Sequence, residues 1–240
     1  MGGSRGATRS HRSSGTRSTG TGNTVPETRA GHHLPRRTHS ETISKPDELD
    51  SKVAAALPVA GEAALRALAH LGLQRGETLL VLGAAGGVGT IATQLAIAAG
   101  AKVVATAGEA NHERLRALGA AVTTYGDGQL DRIRALAPHG VDAVLSASAT
   151  GALGDAVELR GGTTGRIASL ADTSAFELGI DFLAGTPADR SRETLRTLVS
   201  AWRQGRLVLP PARRFALHDA VAAHRELDHG HGTGKIVLVP

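Results

Sequence analysis

The residues of this chain best placed to do chemistry are glycines. Ala84-Ala85-Gly86-Gly87-Val88-Gly89 follows a short apolar run at 78–82, and Ile91, Ala92, Leu95, Ala96 and Ala99 then recur at helical spacing. In a strand–turn–helix context, a glycine at the second fingerprint position lets the main chain approach a diphosphate closely. One at the third position lets the helix pack tightly on its strand. Gly86 and Gly89 take those places, and Ala84 stands where the first glycine would be. The following helix offers unpaired N–H groups and the positive end of its dipole to the phosphates. The pattern predicts a dinucleotide held by main chain, with Gly86, Gly87, Val88 and Gly89 as its cradle. The other reading of the same residues is a tight turn that holds nothing.

The type of dinucleotide depends on the end of the second strand, where an acid would hold a ribose 2′-OH. Val103-Val104-Ala105-Thr106-Ala107-Gly108 has no carboxylate until Glu109. Small neutral residues leave room for a 2′-phosphate, and His112 or Arg114 would supply charge, with His112 contributing more at acidic pH. NADP is therefore expected. NAD stays open, through Glu109 reaching back to the ribose.

Other chemistries are poorly served. There is no cysteine, which excludes disulfides, thiol nucleophiles and cysteine-ligated metals. The one tyrosine, Tyr125, has Gln129 four residues on, so no Tyr-x-x-x-Lys dyad exists. Gly234-Lys235 precedes Ile236 at the chain end and so opens no P-loop helix. His32-His33 and His229-Gly230-His231 lie in polar or glycine-rich segments and read as surface histidines, with no metal expected. Three Phe, one Trp and one Tyr are too few for an aromatic base-stacking platform.

The elements around these residues alternate. Strands are expected at 78–82, 102–106, 122–125, 141–145 and 166–170, with helices at 111–118, 130–137, 150–159 and 188–204. Such alternation predicts an α/β, Rossmann-type doubly wound parallel sheet. The uncharged stretch of 24 residues from 78 to 101 is broken by glycines and reads as strand, turn and helix, so no membrane span is expected. Residues 1–40 hold seven arginines and one acid, a net +6, which leaves −1 for the rest of a chain whose total is +5. This leader is too polar to bury a core, so it is expected to be disordered, and the basicity says little about what the folded part binds.

Several motifs in order carry a family resemblance. Ala54-Ala55-Ala56-Leu57-Pro58-Val59-Ala60-Gly61, the 80–89 turn, Leu115-Arg116-Ala117-Leu118-Gly119-Ala120 and Gly234-Lys235-Ile236-Val237-Leu238 resemble the medium-chain dehydrogenase/reductase superfamily. Within it, the Ala-Ala-Gly-Gly-Val-Gly form is similar to the zinc-independent quinone oxidoreductase branch. The resemblance covers about residues 44–240. It implies hydride transfer from NADPH to a quinone, an enone or a similar carbonyl compound, a cytoplasmic protein, and a homodimer joined through a strand at 176–183. It also implies Tyr125 beside the adenosine phosphate, and Gly108 and His112 where the family places Ser and Lys. Ala63 replaces the family's Thr, and Ser146 its Asp. No catalytic residue is assigned.

Family members begin with a GroES-like β domain of roughly 100 residues, which residues 1–43 do not resemble. The resemblance therefore implies an N-terminally truncated chain. Its parts would be a disordered basic leader (1–43), a Rossmann dinucleotide-binding domain (44–206) and a C-terminal segment (207–240). Strands at 214–217 and 235–239 would then lack sheet partners. Two other readings remain: an NADP-binding remnant without catalysis, and nucleic-acid or partner binding through the Arg-rich leader, the former kept ahead of the latter.

Overall fold

The computed structural model describes residues 42–186, 191–209, 212–228 and 235–239, without the side chains of 52 and 53. Residues 1–41 of the leader and the histidine pairs at 32–33 and 229–231 fall outside these residues.

Helix α1 (Ser51–Leu71) leads into β1 (Thr78–Leu82), α2 (Gly87–Ala98) and β2 (Lys102–Thr106). A 3-10 turn (Glu109–Asn111) precedes α3 (His112–Ala117), β3 (Ala121–Thr123), α4 (Gln129–Leu136) and β4 (Ala143–Ser146). Then follow α5 (Leu153–Leu159), β5 (Ile167–Ser169), α6 (Ala175–Leu178), β6 (Asp181–Phe182) and α7 (Arg192–Arg203). The first six strands form one parallel sheet in the order β3-β2-β1-β4-β5-β6. The order reverses between β1 and β4, and ligands of such sheets bind outside the strand ends at that point.

Strands buried on both faces explain the unbroken apolar runs. Leu79, Val81, Val103, Ala105, Ala143 and Leu145 face α1, α2 and α7. Leu80, Leu82, Val104, Val144 and Ile167 face α4, α5 and α6 on the other side. The expected bounds of β1 and β2 match. Helix α5 starts at Leu153 rather than 150 because Gly151 adopts a left-handed φ of 71° and its N–H is taken by Asp172 Oδ2 at 3.1 Å.

Two expectations for the edges are corrected. The strand at 176–183 is a short helix, ended by Gly179 at φ 67°, and then a two-residue strand. The Phe176 and Phe182 rings meet at 5.0 Å across that bend. The C-terminal strands do not lack partners. After Leu207, β7 (Ala212–Ala216) and β8 (Lys235–Val239) flank α8 (Ala220–Asp228) and pair with each other in parallel. Both touch α1. The approach to β7 is pinned to α2, where Val208 N donates to Gln94 Oε1 at 2.6 Å and Gln94 Nε2 donates to Val208 O at 3.0 Å.

At the opposite end of the sheet from the glycine turn, Arg166 holds α1, β1 and β5 together from a left-handed φ of 60°. Its Nη1 and Nη2 donate to Glu77 Oε1 and Oε2 at 2.8 and 2.6 Å, and its Nε donates to Leu71 O at 3.0 Å. The Arg166 guanidinium, then the Gln74 N–H, hold the Glu77 carboxyl down to about 2. A carboxylate depressed on folding stabilises fully above its ordinary range and loses that contribution as it protonates. Glu77→Gln is expected to cost about 1–2 kcal/mol at neutral pH. Thermal melts should show this difference shrinking as pH falls from 4.5 towards 2, and a constant difference would contradict the pairing.

Candidate dinucleotide site

The turn after β1 is shaped by what its glycines leave out. Gly83 takes φ 78°, and a Cβ there would lie 2.6 Å from Ser148 Cβ and Oγ, across the β1–β4 switch point. A Cβ on Gly89 would lie 2.4 Å from Gly83 O and 2.7 Å from Ala84 Cα, so the start of α2 rests directly on the end of β1. Gly86, the N-cap, has extended backbone, and nothing stands closer to its missing Cβ than Gly83 O at 3.7 Å. The second and third fingerprint roles thus fall where the spacing placed them, while Gly83, not Ala84, makes the bend.

The first helical hydrogen bond of α2 runs from Thr90 N to Gly86 O at 2.9 Å. The amides of Gly87, Val88 and Gly89 come before it and have no carbonyl four residues back to receive them. No side chain caps this end. Thr90 Oγ1 instead donates backwards, to Ala84 O at 3.0 Å and Ala85 O at 3.3 Å, which ties down the turn's carbonyls. The result is an open row of donors at a helix N-terminus, a geometry suited to an anion.

The other sequence-derived residues gather at the ends of β2 and β3. Tyr125 is half exposed, and its hydroxyl lies 3.8 Å from where a Gly108 Cβ would be. His112 Nε2 donates to Ala107 O at 3.0 Å, and Arg116 Nη2 donates to His112 Nδ1 at 3.4 Å. The imidazole is therefore occupied at both nitrogens, and the cation beside it is Arg116. Arg114 turns away from this corner to the glycine turn.

Lys235 is the residue the spacing did not reveal. From the first position of β8, its Cε lies 3.2 Å from the place a Gly87 Cβ would fill. It sits at the mouth of the donor row, brought there by the β7–β8 pairing. The family motif at 234–238 names it but not its place, because the contact joins β8 to the start of α2, far apart in the chain.

At the ends of β4 and β5, Asp172 latches two loops. It is 6% exposed. Its carboxylate accepts from Ser174 Oγ at 2.6 Å, Ser174 N at 3.1 Å and Gly151 N at 3.1 Å. The Ser174 hydroxyl, then the two N–H groups, hold its carboxyl below the usual range against the cost of burial. A cavity of about 950 Å³ lies elsewhere, between residues 42–47 and α7. It is open and basic, none of the fingerprint residues lines it, and two of its cations are engaged, Lys45 on Pro46 O and Leu49 O and Arg203 on Glu48. Among the described residues no His, Asp and Glu cluster could hold a metal, and no helix is long and apolar enough to cross a membrane.

A six-stranded parallel sheet with a glycine turn at its switch point defines a dinucleotide-binding fold of the dehydrogenase type. Residues 118–238 match the model of the zinc-binding dehydrogenase family. Over 208 residues the chain is 37% identical to erythronolide synthase EryA2 of Saccharopolyspora erythraea, covering 80% of this chain and 6% of that protein. It is 30% identical to the 2-methylene-furan-3-one reductase of Solanum lycopersicum, over 82% of this chain and 49% of the reductase. The quinone oxidoreductase structure from Coxiella burnetii superposes with a TM-score of 0.71 at 30% identity, over 82% of this chain and 63% of that one. The chain belongs to the medium-chain dehydrogenase/reductase superfamily, in its quinone-oxidoreductase-like branch, and spans less than two thirds of each of these relatives.

The glycine geometry makes a discriminating prediction. Gly89→Ala must displace main chain, so it should destabilise by about 1–3 kcal/mol. Gly86→Ala, in a backbone that alanine adopts freely, should leave the melting temperature close to wild type. Equal loss in both variants would mean that the helix does not rest on the strand in this way.

Proposed function

We propose that this chain binds NADPH across the β1–β4 switch point and serves zinc-independent hydride transfer to a quinone, an enone or a similar carbonyl compound. The observation that carries this reading is the amide row of Gly87, Val88 and Gly89, uncapped by any side chain, with Lys235 at its mouth. The fit is steric as well as electrostatic. The space in front of Gly86 is one a side chain would fill, and the Gly87, Val88 and Gly89 amides beyond it have no helical carbonyl to receive them.

When bound, the reduced nicotinamide supplies the hydride, and the protein supplies position and field. Gly87, Val88 and Gly89 would hold the diphosphate by N–H donation, and Lys235 would add a charge to it. Gly108 leaves room at the end of β2 for a 2′-phosphate, with Tyr125, His112 and Arg116 around it and no carboxylate before Glu109. That arrangement favours NADP over NAD. Ser146 and Ser148 bound the crevice on the β4 side, where Ser146 Oγ donates to Ser148 O at 3.0 Å. No side chain on that wall is placed to move a proton, so protonation of the reduced product is left to water. A homodimer through the β6 edge remains part of this proposal, carried by the exposed Phe176 and Leu178 beside a strand whose outer edge is unpaired among the described residues.

A second reading, cofactor binding without turnover, is favoured by one observation. The outer edges of β7 and β8 are unpaired among the described residues, so the small sheet beside the site is incomplete as an enclosure.

The test is a fluorescence titration with NADPH and NADH, followed by an NADPH oxidation assay with a simple quinone. Binding of NADPH in preference to NADH is expected. Lys235→Ala should weaken NADPH binding by about tenfold, the loss of one charged contact. Failure to bind either nucleotide at millimolar concentration would overturn the proposal. Binding without oxidation would select the second reading.

A further inference from the structure

Arg114 is a half-buried cation with no acid beside it among the described residues. From α3 its Nη2 donates to Ala85 O at 3.1 Å and to Asn111 Oδ1 at 3.3 Å, and its Nη1 donates to Thr90 Oγ1 at 3.3 Å. Its Nε is buried without a hydrogen-bond partner. Among the described residues, no carboxylate stands within ion-pair distance of it. Burial alone acts on its ionisation, and pushes it below the usual arginine range. A guanidinium is retained in such a place only where something offsets its desolvation.

The three acceptors explain half of the arrangement. Ala85 O belongs to the peptide whose Gly86 N–H donates to Gly83 O at 3.3 Å, so holding that carbonyl on the α3 side fixes the rotation of the peptide that leads into the donor row. Thr90 Oγ1, which Arg114 also meets, is the hydroxyl that ties Ala84 O and Ala85 O. Arg114 therefore braces the turn from behind at two linked points. What the described residues do not supply is a counter-charge.

We propose that Arg114 is a positioning residue for the dinucleotide diphosphate, bracing the Ala85–Gly86 peptide and taking the bound diphosphate as its missing counter-ion across the turn. This rests on the reading of the turn as a nucleotide site. It differs from the expectation that Arg114 serves a 2′-phosphate, because its guanidinium is spent on the turn common to both nucleotides.

The experiment compares the full chain as wild type, Arg114→Lys and Arg114→Met, each titrated with NADPH and NADH at several salt concentrations, with melting temperatures measured without nucleotide. Arg114→Met is expected to weaken both nucleotides by the same factor, about tenfold, and to flatten the salt dependence of binding. Arg114→Lys, keeping the charge but not the fork, should recover part of the affinity and most of the salt slope. A merely structural brace would lower the melting temperature but leave the salt slope unchanged, which overturns the proposal. So would wild-type affinity in Arg114→Met, or a loss confined to NADPH. Should Arg114→Met fail to fold, Arg114→Gln carries the same comparison. A wild type that binds neither nucleotide removes the reading of the turn itself, and is told apart because no variant enters that result.

Discussion

The architecture depends on one close approach, the start of α2 lying against the end of β1 with no side chain between them. Only glycine at 89 permits it, since a methyl there would meet Gly83 O and Ala84 Cα inside van der Waals distance. Everything that makes the switch point useful follows from this contact. It brings the unpaired amides of the first helical turn to the crevice between β1 and β4. It also lets Thr90 reach back to the turn's carbonyls, so that the donors face outward and the acceptors are consumed within.

Charge is arranged around that contact without the use of acids. Lys235 reaches the mouth of the turn from β8, Arg114 stands behind it from α3, and Arg116 lies beside His112 at the end of β2. Each comes from a different part of the chain, and each depends on a distinct piece of packing. Lys235 needs the parallel pairing of β7 with β8. That pairing in turn needs the chain between α7 and β7 to be fixed on α2, which Gln94 does with two hydrogen bonds to Val208. A buried amide far from any ligand thus helps determine where a surface cation sits.

Much of this was legible in the sequence, for physical reasons that also explain the failures. β1 and β2 could be read to the residue because a strand covered on both faces is an unbroken apolar run ended by glycine. Gly86 and Gly89 could be assigned because the fingerprint is a local geometry. Helix α1 was visible only as a family motif. Pro58 interrupts its interior and suggests a break, yet Leu57, Ala60, Ala64, Ala67 and Leu71 form one buried stripe. The β6 edge was overread as a full strand because that expectation came from the resemblance alone, and Gly179 turns the backbone within it. Lys235 and the role of Arg114 could not be read at all. Both are tertiary contacts, and nothing in the order of residues says that a lysine near the end will lie over Gly87, or that a helix arginine will face inward.

Binding and turnover make separate demands on such a fold. Binding needs the amide row, the neighbouring cations and room at Gly108, all of which lie on elements of the main sheet or are fixed to it. Turnover needs a substrate held against the nicotinamide, because a hydride moves only between atoms already close and aligned. On the β4–β5 side the described residues offer Ser146, Ser148 and Ser169, all short, and Asp172, whose carboxylate is consumed in joining two loops. These groups shape the floor of the crevice but do not enclose a second molecule above it. On the proposed reading the nucleotide half is largely preorganised by the sheet, while the described residues place no group to hold a substrate above it. Nucleotide affinity can therefore persist under changes that abolish hydride transfer, and the reverse cannot occur.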